Sequence, residues 1–99
     1  MLITSMRSRK GNPVANQFVI TEGNKVTFQS YASTIATVDH NKKTISIGED
    51  WDYSKTTDKY RNMFFEGLGF NDISNTTALR KAINKGKYND YTIIKTWEV

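Results

Sequence analysis

Ninety-nine residues, 37% hydrophobic and 12% aromatic, suffice for one domain with a modest core. The lack of cysteine excludes disulfides, thiolate zinc sites and a cysteine nucleophile. The net charge of +4 is uneven, with six basic against two acidic residues in 1–48 and eight of each in 49–99, which favours polyanions or acidic protein surfaces as partners of the first half.

No apolar run approaches the roughly 18 residues of a membrane span. Met1 to Met6 is too short for a signal-peptide core, which in any case follows its basic residues where this stretch precedes them. The expectation is a cytoplasmic protein with no membrane partner.

Taken in order, residues 1–16 read as a basic N-terminal arm. Met6 to Pro13 is basic, polar and punctuated by Gly11 and Pro13, and Met1 to Ser5 would add at most a short edge strand. Residues 17–48 read as two hairpins. In the first, a three-residue loop at Glu22-Gly23-Asn24 gathers Phe18, Ile20, Val26 and Phe28 on one face, whereas a two-residue Gly23-Asn24 turn would set Phe28 opposite Val19 and split that group. The three-residue loop is preferred because it gives a single apolar face. In the second hairpin, Val38 pairs with Ile45 and Ala36 with Ile47 around a turn at Asn41-Lys42.

Residues 54–86 read as two helices. Ser54 caps the first, Tyr53, Thr57, Tyr60 and Phe64 form a core-facing stripe, and Gly67 or Gly69 stops it. Phe65 projects away from the stripe, either packing under a loop or standing exposed as a partner contact. Asn75 or Thr76 caps the second helix, which runs through Leu79, Ala82 and Ile83 to Gly86. A final strand occupies 91–97. The predicted fold is α+β: an antiparallel meander of about four strands plus a C-terminal strand, packed by two short helices on one face.

Catalytic chemistry is hard to build from these residues. His40, the single histidine, falls in a turn and reads as solvent-exposed. Glu49, Asp50 and Asp52 crowd Trp51, but lack the alternation and glycine of a calcium loop and read as turn formers. No nucleotide-cradling loop or nucleophile elbow is present. The expectation is a non-enzyme with no metal and no cofactor. The chemistry-bearing set is polar and basic: Arg7, Arg9, Lys10 and Asn12, with Gln29 and Tyr31 at the end of a strand. Arginine and lysine neutralise phosphates, a tyrosine stacks on an unpaired base, and amides bond base edges. Wet-faced sheets and basic arms without any such role are about as common.

Three strings carry a resemblance: Arg7-Ser8-Arg9-Lys10-Gly11-Asn12 running to Asn16-Gln17-Phe18; Phe28-Gln29-Ser30-Tyr31 with Ser33 and Ile35-Ala36; and Trp51-Asp52-Tyr53-Ser54 with Thr56-Thr57 and Lys59-Tyr60-Arg61. They resemble, over about residues 6–65, short uncharacterised proteins encoded by phages, plasmids and other mobile elements of Gram-positive bacteria. The resemblance implies a setting in which small basic proteins act on DNA, on replication or transcription machinery, or against defence nucleases. The leading expectation is a phage-type accessory protein binding nucleic acid or a nucleoprotein complex. The alternative is an inhibitor that binds a host protein through an exposed aromatic such as Phe65.

Overall fold

A computed structural model describes residues 1–98. The strands are β1 (Leu2–Arg7), β2 (Pro13–Glu22), β3 (Lys25–Ser30), β4 (Ser33–Asp39), β5 (Thr44–Ile47), β6 (Lys87–Tyr88) and β7 (Tyr91–Lys95), and the helices are α1 (Lys55–Gly67) and α2 (Thr76–Lys85). Short 3-10 turns occupy Asn71–Ile73 and Thr96–Glu98. No helix among the described residues is long and apolar enough to cross a membrane.

All the strands join one sheet in the order β1-β2-β3-β4-β5-β7-β6. Every neighbouring pair is antiparallel except β5 and β7, which run parallel. This seven-stranded mixed sheet corrects the predicted meander of about four strands, while the α+β class stands. The physical reasons differ by strand. Leu2 to Ser5 pair with Phe18 to Thr21, so the predicted arm is largely a hairpin; its ladder rests on backbone bonds that leave no apolar alternation in the sequence. Pro13 opens β2, where a missing N–H is tolerated. A parallel β5–β7 pair needs a long crossover, and α1 and α2 supply it.

The first hairpin takes the register the sequence reading set aside. Glu22 pairs with Lys25 and Val19 with Phe28 around a two-residue turn, where Gly23 has φ +59°. Val19, Val26 and Phe28 therefore share the helix side, and Phe18 and Ile20 lie on the opposite face. A Gly23-Asn24 turn matches strand twist, and that local preference outweighs a uniform apolar face. The second hairpin has the expected pairs, Val38 with Ile45 and Ala36 with Ile47. Its loop extends to Lys43, which takes φ +56°, and the Asp39 carboxylate accepts from the Asn41 and Lys42 amides at 2.9 Å each.

Ser54 caps α1, its Oγ accepting from the Thr57 amide at 3.1 Å, and Asn75 caps α2 through the Ala78 amide at 2.8 Å. Thr57, Tyr60 and Phe64 are buried as predicted. Phe64 stacks on Phe28 with ring centroids 5.8 Å apart, and the core continues through Val38, Ile45, Ile47, Leu79, Ile83 and Ile93. Phe65 is also fully buried, beside Phe64 and Phe70. His40 is half-buried rather than exposed: its Nδ1 lies 2.8 Å from the Tyr91 hydroxyl, and its ring meets those of Phe70 and Tyr91 edge-on.

Candidate functional site: a hydroxyl-lined cavity between two tyrosines

The turn from β3 to β4 and the approach to α1 border an open recess of about 610 Å³. Ser30, Ser33 and Ile35 come from the strands, Asp50 from the loop, and Ser54, Thr56 and Thr57 from the start of α1. Tyr31 and Tyr53 complete the lining and remain 53% and 73% exposed. Two solvated aromatic rings therefore frame a recess whose polar groups are mainly hydroxyls.

Each wall has a local cause. Ser30 pairs with Ser33, which leaves Tyr31-Ala32 as a two-residue turn and forces Tyr31 to φ +55°. Glycine is the usual occupant of that backbone region, and a bulky residue there is strained. Two bonds hold it: the Tyr31 amide donates to the Asn16 carbonyl at 2.7 Å, and Gln29 Nε2 donates to the Tyr31 carbonyl at 2.8 Å. Asn16 itself has φ +64°. The Ser30 and Thr57 hydroxyls, both buried, meet at 3.0 Å and tie the strand to the helix. Ser33 Oγ donates to Asp50 at 2.8 Å, pinning the loop.

The far side of that loop is anchored by Arg61, which is fully buried. Its guanidinium donates to the Trp51 carbonyl at 2.6 Å, Asp58 at 3.0 Å, Asn62 at 2.9 Å and Thr76 at 2.7 Å. Arg80 reaches Asp52 at 2.7 Å, and both guanidinium carbons lie 5.4 Å from the Trp51 ring centre. Burial pulls the Arg61 pKa down, opposed by Asp58 and Asp52. Burial, and then the neighbouring Asp52 carboxyl, push Asp58 up to about 6 against the pull of Arg61. The loop acids serve Ser33 and Arg80, and no cluster of three or more potential metal ligands occurs among the described residues.

The predicted site residues divide. Tyr31 lines the cavity, and Gln29 braces it from behind, so its amide nitrogen is engaged. Arg7, Arg9, Lys10 and Asn12 lie at the tip of the β1–β2 hairpin instead. Arg7 Nη1 donates to the Gly11 carbonyl at 2.9 Å, Arg9 pairs with Glu66 at 3.4 Å, and the Asn12 carbonyl accepts from the Ser8 amide at 2.8 Å. Lys10 has no partner among the described residues. Since Thr57 borders the cavity and Glu66 lies nine residues further along α1, tip and cavity stand about 14 Å apart along that helix. Phe65, being buried, offers no surface to a partner.

Tyr53 was assigned to the core stripe but precedes the cap, where helical phase does not yet apply. The Ser54-Lys55-Thr56-Thr57 string signalled a helix start, and nothing in it announced a recess. Gln17 is fully buried across from Ser30, and its amide atoms find no partner among the described residues.

These elements define a small α+β protein with an open recess beside the start of α1. Residues 1–85 match a family described as a family of unknown function (DUF8033), and the chain belongs to that family. No curated protein and no solved structure matches it.

Proposed function

We propose that the protein is a non-catalytic binder of single-stranded nucleic acid, working as an accessory protein of a mobile element of phage type in a bacterial cell. The observation that carries this reading is the pair of exposed rings, Tyr31 and Tyr53, framing a hydroxyl-lined cavity of about 610 Å³. Such a recess takes a planar base: the rings offer stacking surfaces, and the hydroxyls of Thr56 and the two tyrosines, which have no partner among the described residues, can donate and accept towards base edges.

The basic hairpin tip supplies the phosphate contacts. The Arg9–Glu66 pair is solvent-exposed on both sides, and such pairs contribute at most about 1 kcal/mol, so a phosphate can displace Glu66. Arg7 spends a single donor on Gly11, leaving others of its five for an anion. A stacked strand advancing about 3.4 Å per nucleotide covers the ~14 Å from cavity to tip in about four nucleotides.

Fluorescence anisotropy with labelled single-stranded DNA and RNA tests the proposal. The wild type is expected to bind with an affinity that falls as salt rises. Tyr31→Ala should cost about 1 to 3 kcal/mol at every salt concentration, the usual worth of one stacked base. Arg7, Arg9 and Lys10→Ala together should flatten the salt slope. Absence of salt-dependent binding at micromolar protein rules the reading out.

A further inference from the structure

We propose that β1 is a self-association edge, through which two copies of this chain join antiparallel into a dimer with one continuous sheet. The sheet ends in β1 on one side and β6 on the other. The two edges are built differently. The β6 edge is two residues long and contains Lys87, and both shortness and lysine protect an edge from further pairing. The β1 edge has six residues, Leu2–Arg7; its register is regular from Leu2 to Ser5 and shifts before Arg7, and Leu2 to Met6 hold no proline and no charged side chain. Backbone N–H and C=O groups on the side away from β2 therefore form a ladder ready for another strand.

The side chains of β1 are as bare as its backbone. Met1, Leu2 and Ile3 are 82%, 63% and 58% exposed. Successive strand residues face opposite ways, so Leu2 and Ile3 leave apolar surface on both faces. Ile3 pairs with Ile20 and Ser5 with Phe18, so on the open face of the sheet the edge continues into half-buried apolar residues of β2. A second strand laid against β1 covers Leu2 and Ile3 together and extends that apolar strip.

Charge selects a second copy and its direction. Leu2 to Met6 carry no charged side chain, so two β1 strands meet without repulsion at the seam. Arg7, Arg9 and Lys10 follow immediately. In a parallel pair the two basic tips would lie side by side. In an antiparallel pair centred near Thr4, each Arg9 lies about 17 Å from the two-fold axis at ~3.3 Å per residue, and the tips are separated by several Debye lengths of about 8 Å. A two-fold contact of this kind also closes, because each partner uses its one open edge and turns its protected β6 edge outward.

Sedimentation velocity from micromolar to submillimolar protein, paired with hydrogen exchange of the β1 amides, tests the proposal without nucleic acid. The wild type should shift with concentration from the 11.3 kDa chain to twice that mass, and the alternate β1 amides that point away from β2 should gain protection over the same range. Leu2→Lys combined with Ile3→Lys should stay at the mass of one chain, with unchanged circular dichroism. A wild type that remains one chain at the highest concentration overturns the proposal. So does a dimer that survives the two lysines, or one that leaves the outward-pointing β1 amides as exchangeable as in the dilute protein.

Discussion

Tyr31 combines an exposed ring with a backbone at φ +55°, a conformation that costs a bulky residue on the order of 1 to 3 kcal/mol. Packing returns only part of that cost, because the residue is 53% exposed. The strain is explained if the ring serves a ligand. Tyr31→Gly should therefore leave the protein at least as stable, by urea denaturation, while weakening oligonucleotide binding as much as Tyr31→Ala. A marked loss of stability in the glycine variant would mean that the side chain is structural. Arg61 is the opposite case, invisible at the surface and bonded to four residues across α1, α2 and the Trp51 loop. Removing one member of such a buried charged network costs about 3 kcal/mol or more. Arg61→Ala is expected to lower stability by that order, read from the denaturation midpoint, with the loop carrying Asp50 and Tyr53 losing its anchor.

At the scale of elements, the start of α1 unites stability and site. The Ser54 cap fixes the helix, Thr57 locks it to Ser30, and the same turn lines the cavity. Asp58 in that first turn carries a pH signature. Its folded-state pKa is raised from 3.8 to about 6, so the folded protein holds this proton more tightly than the unfolded chain. Its contribution is fully present below about pH 4 and is lost as pH rises through about 6. The stability of the wild type minus that of Asp58→Asn should fall over that window, measured by chemical denaturation at stepped pH. A difference that rises instead would contradict the environment assigned to Asp58.

Much at this scale was legible in the residues. Both N-caps, the Thr57–Tyr60–Phe64 stripe, the glycine stop of α2 and the β4–β5 pairing follow from local rules, and local rules are what sequence carries. Of the strands outside that reading, β1 was allowed only as a short edge strand and the two-residue β6 was missed; each is held by backbone pairing to the next strand, at Arg7–Pro13 and Tyr88–Tyr91, with too little apolar alternation of its own to announce it. The first hairpin was misread because an apolar face was weighed above turn geometry. Phe65 departed from the stripe because a helix covered on two sides, by the sheet and by the Phe70 segment, buries more than one face. The cavity was not legible at all. It arises where Tyr31, Asp50 and Tyr53 converge from separate segments.

For the whole molecule, the fold keeps its helices on one side of the sheet, a basic hairpin tip at the end of α1 and a tyrosine-framed recess at its beginning. In the proposed function the tip takes the phosphates and the recess stacks the base, at the two ends of one helix. The central claim is that the recess receives a base. Amide chemical-shift mapping with a short single-stranded oligonucleotide tests it most directly. The account predicts perturbations concentrated at Tyr31 to Ser33 and Tyr53 to Thr57, with weaker ones at Arg7 to Asn12. Perturbations confined to the basic tip, or spread over the sheet with the tyrosine recess silent, would contradict it.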